Sequence, residues 1–153
     1  MMTLAFDVIK RLQGKTFATA ESCTGGGIGN VLTAVPGASN AYKGGIISYC
    51  NEIKEKCLGV SGVTLAECGA VSAQVAQEMA AGARVALNAD IAVSVTGLAG
   101  PSGDEYGNPV GTVFIGYADE KRCISRGFRF DGDREAVRKQ AIESTLLLIL
   151  EMN

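Results

Sequence analysis

Short apolar runs alternate with amphipathic stretches along the first two thirds of the chain. Met2 to Leu12 scatters Asp7, Lys10 and Arg11 among apolar residues, the pattern of an amphipathic helix. Thr16 to Ala20 predicts a short strand and Cys23 to Ala34 a helix, with Pro36-Gly37 and Ser39-Asn40 marking a loop. Gly45 to Tyr49 reads as a second strand, and Asn51 is a candidate cap for a helix running to Leu58. Gly59 and Gly62 punctuate the chain before a short helix near Leu65 to Cys68. Ser72 to Leu87 is the clearest helix: Val75, Met79 and Ala83 recur on one face, joined by Ala76, Ala80 and Ala86, with Ser72 as the cap. Its alanines and Gly82 predict packing at close range, at some loss of helix propensity. Ile91 to Val95 is a continuous apolar run, as expected of a buried central strand.

The last third changes character. Gly111 to Tyr117 and Cys123 to Phe130 predict two strands joined by a link short enough to make them antiparallel, and Asp133 caps a final long helix through Leu150. Alternating strands and helices followed by a hairpin predict an α/β fold: a three-layer α/β/α sandwich on a mixed sheet. No internal repeat or linker interrupts residues 1–153, so a single domain is expected, and its 47% hydrophobic content suffices for a real core.

Composition narrows the function classes. A net charge of −2 supplies no electrostatic footprint for nucleic acid or for a membrane surface. No apolar run approaches the roughly 20 residues that span a bilayer, and the N-terminal segment reads as a helix rather than a signal peptide. Five cysteines (Cys23, Cys50, Cys57, Cys68 and Cys123) are odd in number, scattered and without a CxxC pair. That argues against a zinc site or a disulfide framework, and for reduced thiols in a cytoplasmic protein. The alanine-rich faces make a homo-oligomer the expected assembly.

Candidate chemistry begins at Thr19-Ala20-Glu21-Ser22-Cys23-Thr24-Gly25-Gly26-Gly27, where a predicted strand turns into a predicted helix. A serine on such a turn projects over the end of a sheet beside unsatisfied helix amides, which suits a nucleophile. The chain contains no histidine, so a base for Ser22 must be a lysine, a carboxylate or a tyrosine. Lysine is the best precedented of these. Ser22 as a simple helix cap is the structural alternative. Cys23 is a competing nucleophile once ionised, or else a small buried hydrophobe. Thr24 reads as a cap or supporting hydroxyl.

Three more segments carry functional groups. In Ser48-Tyr49-Cys50-Asn51-Glu52-Ile53-Lys54, an Asn51 cap would put Lys54 in the first turn of a helix. The helix dipole there favours the neutral amine. Lys56 faces elsewhere, and an ordinary surface lysine is the alternative for Lys54. Ser94-Val95-Thr96-Gly97-Leu98-Ala99-Gly100-Pro101 leads a buried strand into glycine-rich turns at the strand end, where open α/β sheets place their sites. Its backbone amides suit an oxyanion hole or phosphate nest, or the segment is only a tight turn. In Asp131-Gly132-Asp133-Arg134-Glu135-Ala136-Val137-Arg138, Arg134 and Arg138 share a helix face near its start. They form an anion site, or they pair with Asp131, Asp133 or Glu135.

Six motifs in this order resemble one family. Glu-Ser-Cys-Thr-Gly-Gly, Ser-Tyr-x-Asn-x-x-Lys, Gly-Ala-Val-Ser, Thr-Gly-x-Ala-Gly-Pro, Pro-Val-Gly-Thr-Val and Phe-x-Gly-Asp-Arg-x-x-Val-Arg are similar to the C-terminal domain of the competence/damage-inducible protein CinA, from about Leu4 to Leu150. Stand-alone members of that family are nicotinamide-nucleotide amidases (PncC). The resemblance implies hydrolysis of the carboxamide of nicotinamide mononucleotide (NMN) to nicotinic acid mononucleotide and ammonia, without metal or cofactor. It implies Ser22 as nucleophile and Lys54 as its base, with Tyr49 and Thr96 as polar catalytic-site residues. Around them Thr24, Gly25, Gly26, Gly97 and Arg134 are expected at the substrate, with Arg138 holding its phosphate. Amides at the start of the Cys23 helix, with the Thr96-Gly97 turn as a further source, are expected to hold the oxyanion, and Tyr49 to orient Lys54 or relay a proton. The pattern departs at Asn108, where family members often carry lysine, and in the acidic loop Ser102 to Gly107. The pyrophosphatase-like domain of longer CinA proteins is not represented, so its activity does not carry over. Two other functions fit the same residues: a non-catalytic nucleotide-binding or regulatory module, and an amidohydrolase acting on another small amide.

Overall fold

A computed structural model describes residues 1–153. Five strands form one sheet: β1 (Phe17–Glu21), β2 (Tyr42–Ile47), β3 (Ile91–Gly97), β4 (Thr112–Ala118) and β5 (Cys123–Arg129). Their spatial order is β2-β1-β3-β4-β5. β1 runs parallel to both β2 and β3, while β3-β4 and β4-β5 are antiparallel. The sheet is mixed as expected, and the short link after Ala118 makes the hairpin.

Helices cover both faces. On one lie α1 (Met2–Arg11), α2 (Gly27–Thr33) and α6 (Arg134–Met152); on the other lie α3 (Asn51–Leu58), α4 (Gly62–Cys68) and α5 (Ala73–Ala86). Periodicity explains which faces are buried. Ala5, Val8 and Ile9 of α1, continued by Leu12, follow the i, i+3, i+4, i+7 spacing and pack with α6 into the larger core of 23 residues. Val75, Met79 and Ala83 of α5 enter a smaller core of 10 residues on the opposite face. Burying both sheet faces removes alternation from the central strands: all five residues of β1 are buried.

Caps follow from sequence at two helices. Ser72 Oγ accepts from the Val75 amide at 3.2 Å, and the Asp133 carboxylate from the Ala136 amide at 2.9 Å. Gly82 serves close packing, because a Cβ there would collide with the Leu58 carbonyl at the end of α3. Elsewhere the boundaries move. β2 begins at Tyr42 rather than Gly45, and α3 is capped by Cys50, with Asn51 its first helical residue. α2 starts at Gly27 rather than Cys23, because Gly25 and Gly26 take φ of +59° and +98°, which no helix accommodates. Residues 22–26 are therefore a turn, not a helix.

Parallel pairing sets the position of everything functional. Glu21 is opposite Ile47 on one side and Val95 on the other, so β1, β2 and β3 end together. The chain passes from β1 outward to β2, then crosses to β3 on the other flank, making the β1/β3 boundary the topological switch point of the sheet.

Candidate active site

Ser22 is the first residue beyond β1, and its amide donates to the Val95 carbonyl at 3.0 Å. Ser48 follows β2 in the same way, its amide bonded to the Glu21 carbonyl at 2.7 Å. These two bonds carry the sheet one residue past its edge. They fix the Ser22 backbone against both neighbouring segments.

Lys54 rises to the same point from α3. It is the fourth helical residue, and its amide makes the first intrahelical bond, to Cys50 O at 3.1 Å. Its ammonium nitrogen lies 3.0 Å from Ser22 Oγ and donates to the Ser48 carbonyl at 2.6 Å. The side chain is only 1% exposed and forms no ion pair with a carboxylate. Desolvation by burial lowers its pKa below the ordinary 10.5. Burial without an anionic partner favours the neutral amine, whose lone pair can face Ser22 Oγ–H while an N–H stays on Ser48 O. The surface-lysine reading is excluded for Lys54; Lys56 is the exposed one.

A cavity of about 350 Å³ opens above this pair. Ser22, Cys23, Tyr49, Lys54 and Arg134 line it, together with the Thr96-Gly97-Leu98-Ala99-Gly100 turn beyond β3. Its size suits a mononucleotide-sized ligand. Cys23 sits beside Ser22, but burial pushes its thiol pKa up to about 11. It remains a neutral thiol at physiological pH and a poor nucleophile.

The turn itself is held at its first three carbonyls. Ser22 O accepts from Gly25 N at 3.1 Å, and Cys23 O from Arg138 Nε at 3.0 Å. Thr24 O accepts from Gly27 N at 2.9 Å and from Arg138 Nη2 at 3.2 Å. A trans peptide sets its N–H opposite its carbonyl, so the Cys23 and Thr24 amides face away from Gly25 and Arg138 respectively. Neither amide donates to an acceptor on another residue.

Several expected site residues stand elsewhere. Arg138 does not line the cavity; it lies beneath the turn, with Nη2 3.5 Å from where a Gly25 Cβ would be. Arg134, one helical turn earlier, reaches the cavity rim instead, donating to Gly100 O at 2.6 Å and to the Tyr49 hydroxyl at 2.9 Å. The two arginines therefore diverge. Neither pairs with a carboxylate, because Asp133 is occupied as a cap. Tyr49 meets Arg134 rather than Lys54 and is 62% exposed. Thr96 lines the cavity and donates to Ala70 O at 2.8 Å, fixing the adjoining wall. Gly97 also lines it. Thr24, Gly25 and Gly26 shape the turn without reaching the cavity, and the Thr24 side chain is fully buried. Ser22 is not a helix cap, since α2 is capped at Gly26, which has no side chain to offer.

One residue escapes sequence reasoning altogether. Glu21, 2% exposed, accepts from Thr24 Oγ1 at 2.6 Å, from Ile28 N at 2.9 Å and from Gly29 N at 3.0 Å. Its carboxylate occupies the Ile28 and Gly29 amides at the start of α2. Asn108, which replaces the usual lysine, is structural: its amide donates to Val71 O at 3.1 Å and to Asp104 at 2.8 Å, tying the acidic loop to the cavity wall.

Residues 2–153 match the family profile described as the CinA C-terminal domain. The chain belongs to the CinA C-terminal domain family. Among CinA relatives, the nicotinamide-nucleotide amidohydrolase PncC of Pseudomonas putida is 46% identical over 134 residues, covering 88% of this chain and 84% of that protein. A CinA-like protein of Geobacter metallireducens is 49% identical over 128 residues, or 84% of this chain. The chain spans only 31% of that longer CinA-like protein. The crystal structure of a competence-damaged protein (CinA) superfamily member from Escherichia coli superposes with a TM-score of 0.97 at 34% identity, covering 99% of this chain and 90% of that one. A Klebsiella pneumoniae member gives 0.95 at 36% identity, covering 98% and 95%. No helix is long and apolar enough to cross a membrane. No three His, Cys, Asp or Glu side chains cluster as a metal site would require.

Proposed function

We propose that this CinA-family domain is a serine–lysine amidase that hydrolyses the carboxamide of NMN to nicotinic acid mononucleotide and ammonia. The observation that carries this reading is the 3.0 Å approach of Lys54 Nζ to Ser22 Oγ, in a buried position that favours the neutral amine. The likeness to a PncC amidohydrolase over most of both chains supports the substrate.

Ser22 Oγ attacks the carboxamide carbon as its proton passes to Lys54 Nζ. The tetrahedral oxyanion is held by the Cys23 amide at the cavity, which donates to no acceptor on another residue. Lys54 returns the proton to the amide nitrogen, the C–N bond breaks, and ammonia leaves an acyl ester on Ser22. Water then adds to that ester, giving its proton to Lys54. The second tetrahedral species collapses, releasing the carboxylate, and Ser22 Oγ regains its proton. Ser48 O holds Lys54 throughout, so its lone pair is aimed at the reacting oxygens. Arg134 on the rim is the phosphate partner in this reading, and Tyr49 positions Arg134. Thr96 keeps the cavity wall in place.

Ammonia release from NMN, followed for wild type and Ser22→Ala side by side, tests the proposal. Steady release by wild type and none by a folded Ser22→Ala protein is the expected result. Undiminished release by the variant refutes the covalent mechanism. Binding of NMN by wild type without release refutes the amidase reading in favour of a nucleotide-binding module.

A further inference from the structure

A catalytic serine on a turn containing two left-handed glycines needs something to hold it still. Gly25 and Gly26 permit the turn but leave its backbone the widest conformational freedom of any residue type. The helix that follows gives little anchorage of its own. α2 has only seven residues, and its cap residue is a glycine without a side-chain acceptor.

Glu21 closes that gap from the other side of the serine. It ends β1, where its backbone is locked between Ile47 and Val95, and its side chain reaches forward over the turn to the start of α2. Oε1 receives the Thr24 hydroxyl and the Ile28 amide, and Oε2 receives the Gly29 amide. All three partners are donors, which suits the acceptor-only carboxylate. The carboxylate is buried, lacks a cationic partner in salt-bridge range, and meets the positive end of the α2 helix instead. It does not line the cavity. A buried carboxyl group at the residue next to the nucleophile, yet turned away from the cavity, has its effect on the turn.

We propose that Glu21 is the positioning residue of the nucleophile turn. Its carboxylate brackets residues 22–26 between the sheet edge and α2, holding Ser22 Oγ at Lys54 and leaving the Cys23 amide as the oxyanion donor. Because Glu21 already fills the N-terminus of α2, neither the oxyanion nor a substrate phosphate can use that helix end. The inference rests on the amidase reading given above.

The test compares wild type, Glu21→Gln and Thr24→Val. Three quantities are measured: kcat and KM for ammonia release from NMN, the rate at which a β-lactone probe acylates Ser22, and the thermal midpoint. Glu21→Gln replaces one acceptor oxygen by an NH2 that cannot accept the helix amide or the hydroxyl. It is expected to lower kcat by 10- to 100-fold with KM changed less than threefold, and to slow Ser22 acylation by a similar factor. Thr24→Val removes one of the three bonds and is expected to show the same pattern at 3- to 10-fold. A core variant remote from the site, Leu146→Ala, lowers the thermal midpoint while keeping kcat per labelled serine. A folded Glu21→Gln protein with wild-type kcat and acylation rate overturns the proposal, as does a defect confined to KM. Should Glu21→Gln fail to fold, wild-type kcat and acylation in Thr24→Val overturn it equally. Wild-type protein that acylates with the probe yet releases no ammonia from NMN refutes the amidase reading instead, and the acylation rates of the variants still decide the role of Glu21.

Discussion

Arg134 and Arg138 are four residues apart on one helix, and the proposed reaction gives them opposite tasks. Replacing each by methionine, and assaying NMN against the same nucleoside without its phosphate, separates those tasks. Arg134 spends two of its five N–H donors on Gly100 O and the Tyr49 hydroxyl, leaving three at the cavity rim for a phosphate. A charge-assisted hydrogen bond is worth about 1.5–3 kcal/mol, which converts to roughly 10- to 150-fold in kcat/KM. The lower half of that range is expected here because Arg134 is exposed and its field is screened. Arg134→Met should therefore raise KM for NMN by roughly 10-fold and change the phosphate-free substrate by less than threefold. Arg138 instead holds Cys23 O and Thr24 O, and so fixes the turn that presents Ser22 and the Cys23 amide. Loss of one oxyanion donor removes about 3–4 kcal/mol of transition-state stabilisation, or a factor of about 10²–10³. Arg138→Met should lower kcat toward that limit by the same factor on both substrates. Coupled detection of ammonia reports both constants. An Arg138→Met defect seen only with the phosphate-bearing substrate would refute the assignment and return the phosphate to Arg138.

Lys54 sets the pH behaviour. Turnover should rise with pH through the lowered Lys54 pKa, below 10.5, and Lys54→Met should reduce it by about 10²–10⁴-fold while exposed Lys56→Met leaves it within twofold. Because the folded pKa is depressed, the unfolded chain takes up this proton first as pH falls from 10.5. Stability is therefore lost between 10.5 and the folded value, and urea midpoints across that window should flatten in Lys54→Met; an unchanged slope would refute the neutral amine. Cys23→Ala should reduce turnover less than tenfold, since the thiol stays protonated to about pH 11; abolition of acyl-enzyme formation in mass spectra of that variant would make Cys23 the nucleophile.

What could be read in the sequence divides along a physical line. Side chains whose partners lie within one helical turn or on one strand face leave a periodic trace. Thus Val75, Met79 and Ala83 announced the inner face of α5, Ser72 and Asp133 announced their caps, and the three-layer mixed sheet followed. Ser22 and Lys54 were legible as chemical types, but their meeting depends on β1 and β2 being parallel neighbours that end together, which no local pattern encodes. Glu21 was illegible for a different reason. Its acceptors serve the backbone amides of Ile28 and Gly29, and an amide N–H leaves no mark on the identity of the residue that owns it. The arginines failed for a third reason: an i, i+4 spacing gives a shared helix face, whereas a full turn of rise (about 6 Å) is enough to send one side chain over the cavity rim and the other beneath the turn. The same logic sorts the motif by function. In the proposed reaction Ser22 and Lys54 supply the reacting oxygen and its base, while Glu21, Gly25, Gly26 and Arg138 hold the peptide planes between them. A segment this glycine-rich carries two buried or half-buried charges on backbone atoms because a flexible turn, left alone, would not keep an oxygen within 3.0 Å of its base.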